Sequence, residues 1–312
     1  MIKKIESDNE NPNWDNFVSP LQQCNERLSR VWSQINHLNS VVNNEELRLI
    51  YNTNLIKVTK YQSELSQNEL IYIKFKKIKK SNKYQKLTIP QKKIISDEIL
   101  GFELGGVGLD HIKKLEFKKI LSKLSKLSAN FEENILDSVN NYSLSIINKK
   151  ELKGIPKDIL EKAKITAQKQ KKQGWAFTLD FPCYLPLMQY ADNRELRKKL
   201  YYAYATKASD LSNKKTDNTN NINNILSNKK RLSYLLGFSD YASMALKTKM
   251  ANSSEEVINF LQDLASKAKP FATKDMEDLK NYGLKLNIND IEAWDIAYLS
   301  EKIKEERFNY SE

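Results

Sequence analysis

Apolar residues in this chain return every three or four positions over long stretches, and little interrupts them. From His111 to about Asn141 they fall at Phe117, Leu121, Leu124, Leu127, Phe131 and Ile135, a spacing that lines one face of a single long α-helix. Glycine and proline, which would cut such stretches into strands and turns, number only 8 and 7 in 312 residues. The pattern predicts a mainly α fold. Helix starts are legible where a capping side chain stands three residues before an acid or amide: Asn43 before Glu46, Thr88 before Gln91, Asp192 before Glu195, Ser253 before Glu256. At these places the side-chain oxygen can take a first-turn N–H that has no helical partner. Pro270 is expected to kink or end the helix that begins near Ser254.

Two short segments depart from helical spacing. Residues 142–148 (YSLSIIN) and 175–180 (WAFTLD) carry branched and aromatic residues and read as strands of one small β-sheet. A lysine-rich helix from about Pro156 to Gln173 separates them. Residues 211–221 (LSNKKTDNTNN) are polar and low in complexity, and read as an exposed loop. Residues 1–12 are expected to be disordered. No fixed-period repeat and no flexible linker divides the remainder, so 13–312 reads as one helical unit.

Charge and motif searches exclude more than they suggest. The formal net charge of +12 invites a polyanion partner, yet only seven of the 51 basic residues are arginine: 27, 30, 48, 194, 197, 231 and 307. Lysine lacks the planar fork that reads bases, and the lysines are spread along a chain also rich in Asn and Ile. Compositional drift explains this, and no specific nucleic-acid partner is expected. The densest cluster, Lys74 to Lys83 interleaved with Phe75 and Tyr84, reads as a solvated helix end and loop. Gly105, Gly106 and Gly108 follow a helix rather than a strand, so they read as a tight turn needing positive φ and not as a phosphate loop. Cys24 and Cys183 are far apart, which fits free thiols in a reducing, cytoplasmic setting. Cys183 has no basic neighbour to activate it. Of the two histidines, His37 reads as a hydrogen-bonded structural residue, and neither His37 nor His111 has a partner at metal-binding spacing. No stretch is apolar enough to span a membrane, and the polar N-terminus is not a secretory signal.

Four stretches, in order, resemble the oligopeptidase A/thimet oligopeptidase family of zinc metallopeptidases. They are Trp14 to Val41, Phe177 to Ser209 with its Arg-x-x-x-Tyr-x-Ala-Tyr helix, Arg231 to Ala251, and the Trp-Asp-x-x-Tyr of Trp294 to Tyr298. The likeness runs in register from about Asn13 to the last residue and concerns the family's N-terminal half. It implies a large multi-helix lobe of a two-lobed helical peptidase, with a deep channel that admits short unstructured peptides. The family's zinc is held by His-Glu-x-x-His and a distant glutamate, a motif that occurs nowhere here. The resemblance thus implies a truncated or split peptidase, inactive alone, binding no zinc by itself. A separately encoded C-terminal half would supply the metal site, and short peptides would be substrates once the two are combined. Arg197, Tyr201, Tyr204, Trp294, Asp295 and Tyr298 carry over as scaffold and channel-wall residues, none as catalytic ones. The alternative is a non-catalytic basic helical protein that binds peptides or polyanions.

Overall fold

A computed structural model describes residues 10–42 and 44–309. Among them are thirteen α-helices and one two-stranded sheet, the mainly α fold that the periodicity predicts. The helices are α1 (Ser19–Val41), α2 (Glu45–Ser66), α3 (Glu69–Lys80), α4 (Asn82–Gln85), α5 (Ile89–Leu104), α6 (His111–Asn140), α7 (Lys157–Lys169), α8 (Phe181–Tyr190), α9 (Arg194–Ala205), α10 (Thr219–Leu235), α11 (Tyr241–Leu246), α12 (Ser254–Lys285) and α13 (Ala293–Phe308). Strands β1 (Leu144–Ile146) and β2 (Trp175–Phe177) pair antiparallel with Leu144 opposite Phe177 and Ile146 opposite Trp175. A π-helical turn, Trp14–Val18, leads into α1, and a 3-10 turn, Lys149–Leu152, follows β1. No helix of the described residues is long and apolar enough to cross a membrane.

Contacts gather the chain into two compact units. One takes the chain up to Phe131 together with Asn221–Glu256; the other takes Glu132–Asn220 together with the chain from Val257 onward. In the first, apolar stripes of α1, α3 and α5 close a core of Phe17, Leu21, Ile71, Phe75, Ile95 and Phe102. Phe17 meets Phe75 edge to face with ring centroids 4.9 Å apart, an arrangement that suits the ring quadrupoles. Phe75 is fully buried, so the lysine cluster on α3 presents its charges without that ring. In the second unit, β1, β2, α7, α8 and α9 bury Ile146, Ile159, Phe177, Leu187, Leu196 and Leu200.

The cap and turn expectations meet the structure unevenly. Thr88 and Gln91 form the reciprocal box at the start of α5, and Ser253 Oγ accepts the N–H of Glu256 at the start of α12. Asn43 lies outside the described residues; Asn44 caps α2 through the N–H of Leu47. At α9 the cap is Asn193, which accepts from Leu196 N–H, because the carboxylate of Asp192 is engaged elsewhere. The helix expected over 156–173 ends at Lys169. Of the three glycines at 105–108 only Gly106 has positive φ (+82°); Gly105 instead lies where a Cβ would stand 2.6 Å from that of Ser66. Pro270 does not end α12, which continues to Lys285. The segment around it is exposed, so water can take the carbonyl that loses its N–H partner. Residues 211–221 are not uniformly exposed either. Thr216 and Asn218 are buried, and Asn134 of α6 donates to Asn218 at 2.8 Å.

Candidate functional site

Three of the residues singled out on α9 and α13, Arg197, Asp295 and Tyr298, gather around one buried charge within the second unit. Arg197 is 1% exposed and Asp295 is fully buried. Their placement follows from local sequence. Arg194 and Arg197 are one turn apart on α9 and so share a face, while Asp295 occupies the third position of α13. There it accepts the N–H of Glu292 at 3.1 Å, and a negative charge is favoured by the helix dipole.

Asp295 is saturated by its partners. Arg197 Nη2 donates to Oδ1 at 2.7 Å; Arg194 Nη2 donates to Oδ2 at 2.7 Å, and its Nε reaches both oxygens at 3.1 Å. Arg197 spends its remaining donors on main-chain carbonyls, those of Ala191 at 2.7 Å, Trp294 at 3.2 Å and Asp192 at 3.4 Å. Its guanidinium lies 4.0 Å from the centre of the Tyr298 ring. Burial pushes the Asp295 carboxyl up, but hydrogen bonds from Arg194, Arg197 and Glu292 outweigh it and hold the group below its ordinary value. The same contact with Asp295 raises Arg194.

Tyr298 extends the cluster. Its hydroxyl donates to Asp192 Oδ1 at 3.0 Å, and burial, reinforced by that carboxylate, pushes the phenol up to about 12. Asp192 also faces Lys153 at 3.4 Å. Gly154 makes this junction possible. Its φ is +87°, and a Cβ there would stand 2.2 Å from the carbonyl oxygen of Tyr190 and 2.8 Å from Asp192 Oδ1. At the end of α8, Tyr190 Oη donates to the buried Glu301 at 3.2 Å.

The three remaining residues form an aromatic group at the edge of the same core. Tyr201 packs edge-on to Trp294 with centroids 6.1 Å apart, and Lys198 Nζ stands 5.2 Å from the Trp294 ring centre. Tyr204 stacks on Tyr184 at 4.0 Å with Lys207 over its face at 3.4 Å. Burial pushes Tyr184 up to about 12, with Tyr201 and Tyr204 adding to the effect. Arg197, Asp295, Trp294, Tyr298 and Tyr201 are therefore brought together, whereas Tyr204 joins through Tyr184. Sequence reasoning passed over Arg194, Asp192, Gly154 and Glu301. Spacing alone does not single out Arg194, since Arg27 and Arg30 stand three apart on α1 in the same way.

Nothing in this arrangement supplies a nucleophile. Cys183 is pushed up by burial, which disfavours its thiolate. His37 is exposed on α1 rather than packed, and the hydrogen bond at this position comes to its backbone carbonyl from Ser40. Among the described residues no three His, Cys, Asp or Glu side chains come together so as to hold a metal ion.

Comparisons with known proteins show what the chain is similar to. Residues 187–312 match the model of Peptidase family M3, a metallopeptidase family. Residues 1–114 match that of the Neurolysin/Thimet oligopeptidase N-terminal domain. The chain belongs to the oligopeptidase A/thimet oligopeptidase family. It corresponds to the N-terminal half of that family. Oligopeptidase A of Haemophilus influenzae is 39% identical over 94% of this chain and 43% of its own length. Oligopeptidase A of Escherichia coli is 35% identical over 96% of this chain and 44% of its own length. Saccharolysin of Saccharomyces cerevisiae is 26% identical over 99% of this chain and 43% of its own length. The chain thus spans less than half the length of the relatives it matches, and the M3 match includes the whole Arg194–Arg197–Asp295 cluster.

Proposed function

We propose that this chain is the channel-forming portion of a split or truncated oligopeptidase A-like zinc peptidase, acting in the cytoplasm and unable to cleave peptides by itself. The observation that carries the reading is the state of its best-conditioned carboxylate: Asp295 is buried and fully engaged by Arg194, Arg197 and Glu292 N–H. A carboxylate held below its ordinary value by two guanidinium groups is a poor proton acceptor and has no lone pair directed to a ligand. Peptide hydrolysis by this family's chemistry calls for a metal that activates water and a carboxylate that takes its proton. The donors for that metal belong to a polypeptide that this chain does not include, either continuous with it or separately encoded.

In this reading Arg197, Asp295 and Tyr298 fix the angle between α9 and α13, and Tyr201, Tyr204 and Trp294 line the path of a short peptide. The test is reconstitution. The chain is assayed with zinc and an internally quenched short peptide, alone and together with the polypeptide corresponding to the remainder of the Haemophilus influenzae enzyme. Silence alone and chelator-sensitive cleavage in the mixture are expected. Chelator-sensitive cleavage by the chain alone would refute the reading.

A further inference from the structure

Helix α12 runs for 32 residues, and from Ile258 to Glu277 every residue is exposed. That stretch is not polar all round. Val257, Phe260, Leu261, Leu264 and Phe271 fall within about a third of the helix circumference at 3.6 residues per turn, with Ala268 between them. Phe260 is 65%, Leu264 53% and Phe271 73% exposed. The opposite face carries Asn259, Gln262, Asp263, Ser266 and Lys269.

Three observations indicate that the stripe is a seam awaiting a partner. Beyond Asp275, which interrupts the stripe, Leu279 lies on the same side and is buried against Tyr298 and Leu299 of α13; where a neighbouring helix covers this side it behaves as core. Second, a helix in a protein draws most of its stability from packing of its apolar face, and Pro270 in the middle of this one disfavours it further. Intrinsic propensity therefore does not account for the unbroken run through Pro270. Third, Pro270 sits on the polar face. Its ring pushes away the carbonyl four residues earlier, which opens the helix on the solvent side and leaves the apolar side closed. Soluble proteins seldom leave a continuous apolar strip of this kind uncovered.

We infer that the apolar face of α12 between Val257 and Phe271 is a docking surface for the polypeptide carrying the part of the family's sequence that this chain lacks. The inference rests on the reading given under Proposed function. It follows from length as well as from the stripe: the chain accounts for only 43% of the Haemophilus influenzae relative, and α12 lies wholly inside the M3 match. More than half of the related protein is thus left to provide the covering surface. Burying the exposed Phe260, Leu264 and Phe271 takes three large apolar side chains out of water, so this seam can dominate the affinity of the two parts.

The experiment uses the full chain and, as probe, the polypeptide corresponding to the remainder of the Haemophilus influenzae enzyme. Hydrogen exchange of residues 258–277 is followed by mass spectrometry before and after mixing, and affinity is measured for wild type, L264E/F271E and the polar-face control Q262E/S266E. The substituted residues are exposed, so circular dichroism should show both variants folded. The expected result is exchange at least tenfold slower across 258–277 in the mixture, with affinity reduced at least tenfold in L264E/F271E and unchanged in the control. A complex in which α12 exchanges as before and L264E/F271E binds normally overturns the docking surface, yet leaves the split-peptidase reading intact if the mixture cleaves peptide. Absence of both complex and cleavage overturns both. Concentration-dependent protection of 258–277 in the chain alone, abolished by L264E/F271E, would make the occupant a second copy and overturn the assignment.

Discussion

Replacing Arg197 by methionine keeps the length of the side chain and removes its charge and all of its donors. Asp295 would lose the 2.7 Å bond to Oδ1, and the carbonyls of Ala191 and Trp294 would lose the donors at 2.7 and 3.2 Å. Removing one member of a buried ion pair costs about 3–5 kcal/mol, and a buried carbonyl left without a partner about 1–3 kcal/mol. These penalties overlap, and Arg194 and Glu292 N–H still hold Asp295. The expected loss is therefore about 4 kcal/mol, a large share of the roughly 5–15 kcal/mol that folded proteins possess. Arg194 makes more bonds to the same carboxylate, but its side chain is 40% exposed. Water compensates it, and R194M should cost about 1 kcal/mol. Opening free energies of peptides from α9 and α13, measured by hydrogen exchange through a urea series, would give both numbers locally. If R194M proved as damaging as R197M, or R197M cost under about 1 kcal/mol, the assignment of the cluster's strength to burial would be wrong.

Further outcomes follow from neighbouring contacts. Because Asp295 is held below its ordinary value in the folded state, its contribution is fully present above the unfolded carboxyl pKa of about 4 and disappears as pH falls through the lower folded value. D295N should therefore flatten the dependence of stability on pH below about 5, as read by urea midpoints at successive pH values; an unchanged slope would contradict the sign. G154A places a methyl against the Tyr190 carbonyl at positive φ, and a loss of at least about 1–3 kcal/mol is expected, whereas a neutral result would mean that the turn relaxes freely. F75A empties the centre of the first unit's core and should cost about 3–5 kcal/mol, with faster exchange in α1, α3 and α5. Equal loosening of α9 and α13 would show the two units unfolding as one.

What the sequence revealed depended on whether the signal was local. The run from Phe117 to Ile135 marks α6 to within a residue because periodicity is written into neighbours. The two strands are legible in place, and among the described residues they are the two that pair. The cap at Asp192 failed for a long-range reason: a side chain able to cap was taken by Tyr298, 106 residues away, leaving Asn193 to do the work. Polar residues 211–221 misled in the same way, since hydrogen bonds to Asn134 and Ser138 of α6 permit burial that composition argues against. Arginine usage carries information that charge counting does not. Where lysine supplies nearly all positive charge, Arg30, Arg194, Arg197, Arg231 and Arg307 each engage a carboxylate, as a planar fork does better than an ammonium. Family membership could be read from motifs, but the convergence of Arg194 and Arg197 on Asp295 required the fold.

The Arg197–Asp295 bond also imposes a schedule on synthesis. Its partners are 98 residues apart, and a ribosome adding about 5–20 residues per second needs about 5–20 s to cover that interval. Throughout this time Arg197 belongs to a nascent chain in which its carboxylate does not yet exist, and a lone guanidinium cannot be sealed into an apolar interior. The core built from β1, β2, α7, α8 and α9 must consequently stay ajar at one corner until α13 is made. The interval in which this core stays open during synthesis is thus timed by the distance between one arginine and one aspartate.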